Sequence, residues 1–105
     1  MTSDARPLPA EACHSMAEVR TGVDAVDAEI VALLARRYGY MRAAARIKQS
    51  RDAVRDEPRK AEVIANAVAH AEKLGVPADT VAALWELLVE DSIAREMNWF
   101  DERAR

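Results

Sequence analysis

The sequence has one cysteine, Cys13, so no disulfide can form within a single chain. A small disulfide-stabilised fold is therefore excluded, and nothing requires an oxidising compartment. The sequence also lacks any uncharged apolar run near the roughly 18 residues of a transmembrane helix. Its first fifteen residues lack the apolar stretch of a signal peptide. We therefore expect a cytoplasmic protein that does not associate with a membrane.

Glycine, proline and aromatic residues are scarce, with three Gly, four Pro and 5% aromatics. Half of the residues are nevertheless hydrophobic, and many of these are alanine, a composition that favours an all-α domain. The formal net charge of −3 argues against nucleic acid as a partner. Cys13 and His14 are adjacent but have no further ligand nearby in the sequence, so we expect no bound metal.

One long amphipathic helix is predicted over residues 16–50, after a flexible N-terminal tail over residues 1–15. Ser15 followed by Glu18 resembles a capping box at its start. Apolar residues recur at helical spacing in two neighbouring rows, namely Val19, Val26 and Leu33, and Val23, Ile30 and Ala44. Such a helix would be roughly 50 Å long, against a radius of gyration of about 13 Å for a compact chain of this size. Its length therefore predicts a second copy packed against it.

Two shorter helices complete the predicted domain, which spans residues 16–105. Asp56 is a good N-cap for the second helix, and Gly75 is a good C-cap before the stop signal Pro77. Asp79 or Thr80 is predicted to cap the third helix, which runs close to the end of the sequence. The predicted fold is therefore an all-α protomer of one long and two shorter helices, which forms a symmetric homodimer in which the two long helices pack together and the shorter ones wrap them.

Polar residues interrupt the apolar faces of all three helices. Arg37 and Lys48 are eleven residues apart, so they lie within about 20° of each other around a helix and about three turns apart. Ser92 and Glu96 form an i, i+4 pair in the third helix, and Arg59 opens the second. Burying unpaired cations is strongly unfavourable. Either protein carboxylates neutralise them in ordinary ion pairs, or the helices enclose a pocket for a small anion.

These residues resemble those of a known family, the all-helical chorismate mutases and the related isochorismate pyruvate lyases. The similar segments are VDAVDAEIVALLARR after Arg20, then RAAARIK, VRDEPRK and LWELLVEDSIARE. The resemblance covers about Val19 to Phe100. It implies a three-helix protomer in an intertwined dimer with two active sites. Each site would be built mostly from one chain, with Arg20 crossing from the other.

The resemblance also implies how a small dianionic substrate would be held. Arg20 would bind one substrate carboxylate and Arg37 the other. Lys48 would donate a hydrogen bond to the ether oxygen of the breaking bond. Asp56 and Arg59 would contact the region of the substrate hydroxyl, partly through backbone groups.

Three positions on the second and third helices complete this comparison. Ser92 would support carboxylate binding. Glu96 stands where many mutases have a glutamine that donates to the ether oxygen, and an ionised Glu cannot donate, so the role requires a protonated Glu96. Lys60 stands where mutases often have a glutamate that holds the substrate hydroxyl. The lyases also lack that glutamate, and their third helix ends in a similar aromatic pair, here Trp99 and Phe100.

The function that the resemblance implies is the pericyclic rearrangement of chorismate to prephenate, which needs no nucleophile, metal or organic cofactor. The alternative is the lyase reaction, which converts isochorismate to salicylate and pyruvate in a similar pocket. A third possibility is a non-catalytic helical dimer that serves as an interaction module. Such a module would have no need for both Arg37 and Lys48 on one inward face.

Overall fold

A computed structural model describes residues 6–103 of the protein. The first five residues of the predicted tail and the last two of the predicted domain lie outside the described residues. The described chain is all-α, and residues 6–103 contain no strand. The elements are the helices α1 (Met16–Ile47), α2 (Glu57–Leu74) and α3 (Ala78–Glu102), with short 3-10 helices at Ala10–Ala12 and Arg51–Ala53. The predicted all-α protomer of one long and two shorter helices is therefore confirmed.

The chain divides into two compact units, one ending at Arg37 and the other beginning at Tyr38. In the first unit, Ser15 Oγ accepts a hydrogen bond from the backbone N–H of Glu18 at 3.2 Å. Glu18 Oε1 in turn accepts from the N–H of His14 at 2.7 Å. The start of α1 thus has the predicted cap, except that Glu18 reaches one residue further back than in a standard capping box.

The apolar rows of α1 are largely uncovered in the single chain. Their exposed fractions run from 39% at Val19 to 56% at Leu33. The other exposed members are Val23, Val26 and Ile30. A contiguous apolar stripe of this kind is typical of a surface that another protein element covers. None of the helices described between residues 6 and 103 is long and apolar enough to cross a membrane.

The second unit begins with the last part of α1. α1 ends at Ile47, three residues before the predicted boundary, and the chain is extended at Ser50. The N–H of Lys48 still donates to the carbonyl of Ala44 at 2.9 Å, so Lys48 continues the helical hydrogen bonding. This places the root of the Lys48 side chain at the very end of α1.

Helix α2 begins and ends as predicted. Asp56 is its N-cap and accepts a hydrogen bond from the N–H of Arg59 at 3.0 Å. Gly75 has a left-handed backbone with φ of 73°, and the N–H of Val76 donates to the carbonyl of Ala71 at 2.9 Å. These are the features of a Schellman C-cap, which favours glycine because a Cβ is disfavoured at positive φ.

The start of α3 differs from the prediction. The helix begins at Ala78 directly after Pro77 and has no side-chain N-cap, so the prediction of Asp79 or Thr80 as the cap is wrong. Asp79 instead lies inside the first turn, where its Oδ1 accepts from the N–H of Thr80 at 2.9 Å. Pro77 fixes its own φ, which lets the helix begin at once after the turn.

The core of the second unit lies between α2 and α3. Small side chains dominate it, and the buried cluster consists of Ala67, Ala71 and Val81, with Trp85 packed against it. Alanines at the contact let two helices approach closely. This packing fixes the direction of α3, whose continuation carries Ser92 and Glu96.

Candidate functional site

Lys48 and Glu96 form an ion pair in the second unit. Lys48 Nζ lies 2.6 Å from Glu96 Oε2. Glu96 is only 4% exposed, whereas the Lys48 side chain keeps 29% of its surface exposed. The structure therefore brings together two residues that the sequence assigned to the site, and the carboxylate neutralises the cation as the ion-pair alternative proposed.

The geometry of this pair leaves hydrogen-bonding capacity unused. Glu96 Oε2 is buried and receives no hydrogen bond from the described residues, so its contact with Lys48 is a close charge pair at an unfavourable hydrogen-bond angle. Among residues 6–103, Lys48 Nζ donates one hydrogen bond, a long one of 3.5 Å to the carbonyl of Val54. An ammonium has three N–H donors, and this one is poised to donate to another acceptor.

Ser92 lies one turn before Glu96 on the same face of α3 and is 3% exposed. Its Oγ donates to the carbonyl of Leu88 at 2.7 Å, as helical serines commonly do. Ser92 and Glu96 are the two buried polar residues among residues 6–103. The inward face of α3 is therefore apolar except at these two positions, both of which the sequence assigned to the site.

Asp56 and Arg59 lie at the start of α2. The Asp56 carboxylate is used as the helix cap. The Arg59 guanidinium is exposed and pairs with Glu62 on the next turn at 2.6 Å. In the single chain, Arg59 is thus directed along its own helix, and its predicted contact with a substrate hydroxyl stays a prediction.

Lys60 belongs to an ion-pair network that the sequence reasoning missed. Its Nζ lies 2.8 Å from Glu86 and 2.7 Å from Glu90, and Arg55 forms a paired contact with Glu90 at 2.7 and 3.1 Å. The hydrogen bonds from Arg55 and then Lys60 lower the pKa of Glu90 to about 2. The hydrogen bonds that Lys60 donates, first to Glu86 and then to Glu90, raise the pKa of Lys60. The i, i+4 spacing of the two glutamates was the one sequence signal for this network.

Arg103, at the end of α3, binds the end of α1. Its Nη1 donates to the carbonyls of Ala45 at 2.8 Å, Arg46 at 3.1 Å and Lys48 at 2.8 Å. Its guanidinium carbon lies 3.9 Å from the centre of the Phe100 ring, in the geometry of a cation–π contact. The backbone of Lys48 is therefore held from α3, a contact that no sequence pattern indicated.

Two further contacts join the last part of α1 and the following segment to α3. Arg51 binds Asp101 through two hydrogen bonds, at 2.9 and 3.3 Å. The Tyr38 hydroxyl donates to Asp91 Oδ2 at 2.5 Å, and this bond lowers the pKa of Asp91. Together with Arg103, these contacts fix the position of the Lys48 segment relative to α3.

Arg20 and Arg37 both lie on α1 in the first unit. Arg20 is exposed and Arg37 is half-buried. The crossing of Arg20 into a partner's site concerns a second chain, so it stays a prediction, as does the binding of a carboxylate by Arg37. Within residues 6–103, no three His, Cys, Asp or Glu residues are grouped closely enough to hold a metal ion.

Comparison with known proteins adds two similarities. The sequence matches the family described as chorismate mutase type II over residues 19–97, a range that contains every predicted site residue. The chain is also 31% identical over 90 residues to an isochorismate pyruvate lyase from Pseudomonas aeruginosa, and the match covers 86% of this chain and 89% of the relative. Both agree with the family resemblance that the motifs carry.

Proposed function

The chain belongs to the chorismate mutase type II family, and on that basis we propose that it is a chorismate mutase whose reaction takes place at Lys48 and Glu96. The observation that supports this most directly is the buried Lys48–Glu96 pair, at 2.6 Å. An ammonium with unused donors beside a buried carboxyl group is suited to an oxygen atom on which negative charge develops. The reaction of chorismate to prephenate develops such charge on its ether oxygen.

The proposed reaction breaks the ether C–O bond of chorismate and forms a C–C bond within the same molecule. No atom or electron passes to or from the protein, so the protein acts by positioning and electrostatics. Arg37 would bind one substrate carboxylate, and Arg20 of a second copy would bind the other, since guanidinium forks match carboxylate geometry. Holding the dianion in its compact conformer brings the reacting carbons together.

Lys48 would stabilise the transition state by donating a hydrogen bond to the ether oxygen as the C–O bond breaks. Without substrate, Glu96 neutralises Lys48 and keeps the side chain in place. With substrate bound, a protonated Glu96 would donate a second hydrogen bond, which an ionised carboxylate cannot do.

A second copy of the chain is part of the proposal. The exposed apolar side chains of α1, such as Val26, Ile30 and Leu33 at 49–56% exposure, form a stripe that two long helices would cover by packing together. The same pairing would bring Arg20 of one copy toward the site of the other. The active protein would then be a homodimer with two sites.

The lyase reaction is the second candidate, and two observations favour it. A relative at 31% identity is named isochorismate pyruvate lyase. In addition, Lys60 stands where mutases often have a glutamate that binds the substrate hydroxyl. The Lys60 ammonium forms ion pairs with Glu86 and Glu90. Conversion of isochorismate to salicylate and pyruvate also breaks an ether C–O bond, so Lys48 and Glu96 would serve it in the same way.

A product assay with each substrate separates these candidates. The purified protein is incubated with chorismate or isochorismate, and prephenate, salicylate and pyruvate are identified chromatographically. Prephenate as the faster product supports the mutase, and salicylate with pyruvate supports the lyase. Lys48→Met should lower either activity about 10²–10³-fold, whereas Lys73→Met, at an exposed lysine in the last turn of α2, should leave it unchanged. Absence of turnover of both substrates would overturn the proposal of an enzyme.

A further inference from the structure

The guanidinium of Arg103 binds the backbone at the point from which the Lys48 side chain extends. We propose that Arg103 is a positioning residue for Lys48, which it holds through the Lys48 carbonyl and the last carbonyls of α1. This inference rests on the proposed function, because it takes Lys48 as the donor to the reacting oxygen. Arg103 itself needs no contact with substrate.

The end of α1 requires a partner for its carbonyl groups. The last four carbonyls of any α-helix have no partner within the helix, and a glycine in left-handed conformation commonly supplies the cap. Helix α2 uses Gly75 in this way. After α1 come Lys48, Gln49 and Ser50, and none of them is glycine. Arg103 takes the place of that cap from another helix.

Arg103 is well suited to this task. Its Nη1 reaches three carbonyls, those of Ala45, Arg46 and Lys48, at 2.8–3.1 Å. A cation at the C-terminal end of a helix also interacts favourably with the helix dipole. Phe100, with its ring centre 3.9 Å from the guanidinium carbon, supports the group from one face and restricts its rotation.

The contact matters for chemistry because Lys48 is held at both of its ends. Its Nζ is fixed by Glu96 at 2.6 Å, and its carbonyl is fixed by Arg103 at 2.8 Å. Both holding groups come from α3, so α3 determines where the ammonium meets the substrate. A displacement of about 1 Å in a catalytic group can lower the rate about 100-fold, and a free helix end would allow such a displacement.

Arg42 offers a matched control on the same side of the second unit. Its guanidinium carbon lies 4.3 Å from the centre of the Trp99 ring, so it also makes a cation–π contact with an aromatic residue near the end of α3. No hydrogen bond joins Arg42 to the Lys48 backbone among the contacts of residues 38–103. Replacing Arg42 thus removes the same charge and the same kind of contact without releasing Lys48.

The kinetic experiment compares Arg103→Met with Arg42→Met in the full chain. Methionine keeps an apolar stem over the ring and removes the donors. We expect Arg103→Met to lower kcat about 10- to 100-fold with KM changed far less, since the effect lies in the transition state. Arg103→Lys, which keeps a cation and N–H donors, should recover part of the loss. Equal losses in Arg103→Met and Arg42→Met would overturn the proposal.

A second readout needs no turnover. The chain has three lysines, Lys48, Lys60 and Lys73, so lysine-selective ¹⁵N labelling gives three ammonium NMR signals that Lys→Arg variants assign. Arg103→Met should shift or broaden the Lys48 signal and leave Lys73 unchanged, and Arg42→Met should leave both unchanged. An unchanged Lys48 signal in folded Arg103→Met would refute the inference. If Arg103→Met does not fold, the same result in folded Arg103→Gln would refute it. If wild type turns over neither substrate, the proposed function fails while this NMR test of positioning still stands.

Discussion

Replacement of Lys48 by methionine tests the proposed chemistry and the packing of the site together. Methionine is similar to lysine in length and removes both the charge and the donors. Loss of one preorganised donor to a developing oxyanion typically lowers kcat about 10²–10³-fold, or about 3–4 kcal/mol. We expect a loss of this size for the native substrate, with KM affected less.

The same substitution should also affect folding, because it leaves Glu96 without its cation. Removing one partner of a fully buried ion pair costs about 3–5 kcal/mol. Glu96 is 5% exposed by side chain but Lys48 is 29% exposed, so part of the Lys48 charge is already solvated. We therefore expect the free energy of unfolding to fall by about 2–3 kcal/mol, a large share of the roughly 5–15 kcal/mol of a typical domain.

A double-variant cycle separates the two effects. The free energy of unfolding is measured by urea titration, and kcat is measured in parallel, for wild type, Lys48→Met, Glu96→Gln and the double variant. Because glutamine carries no charge, the double variant should recover most of the stability that Lys48→Met loses, while its kcat stays low. Additive losses of stability in the double variant would show that the ion pair has no energetic coupling, and near-wild-type kcat in Lys48→Met would refute the role of Lys48 as donor.

Three further predictions concern Glu96, Glu90 and α1. Glu96→Gln supplies an N–H donor whatever the charge of the carboxyl group it replaces, so kcat/KM should be kept or raised, and a loss as large as that of Lys48→Met would contradict a donor role for Glu96. Because Arg55 and Lys60 lower the pKa of Glu90 from 4.5 to about 2 in the folded protein, Glu90 stabilises the fold above about pH 4.5, and this contribution is lost as pH falls toward 2. The difference in urea midpoint between wild type and Glu90→Gln should therefore shrink over that range, and a difference independent of pH would contradict the assignment. Leu33→Glu places a charge in the exposed stripe of α1 and should shift the protein from dimer to monomer in analytical ultracentrifugation, whereas a wild type that sediments as a monomer would exclude the proposed pairing.

The features that sequence predicted best are those set by neighbouring residues. Asp56 and Gly75 mark the ends of α2 because a cap depends on the few residues around it. The convergence of Lys48 and Glu96 also followed from spacing along helices, since both residues interrupt apolar stripes that had to face a common interior. The predicted start of α3 was wrong. Asp79 has a side chain that is common at N-caps, but the helix already begins at Ala78, directly after Pro77.

The contacts that sequence could not predict join side chains to distant partners. Arg103 binds the Lys48 carbonyl across 55 residues. Every residue has a backbone carbonyl, so the amino-acid sequence does not indicate which one a distant arginine binds. Lys60 finds Glu86 and Glu90 only because α2 and α3 pack in one particular register. Long charged side chains can reach many positions. Helical periodicity therefore predicts the helix face that carries such a side chain, but not the group to which its charged end binds.

The turn at Gly75 bears on the order in which the second unit folds. It joins α2 and α3 into a helical hairpin whose contacts link residues closer in sequence than those between α1 and α3, such as Lys60 with Glu86 across 26 residues. The hydrogen bonds that join the end of α1 and the segment after it to α3 and Arg103 span 50–58 residues, so their loop-closure entropy cost is larger. We therefore expect the hairpin to form early and the end of α1 to dock on it late. The ammonium of Lys48 would then be among the last groups to reach its place, and a folding intermediate could have most of its helix and no activity.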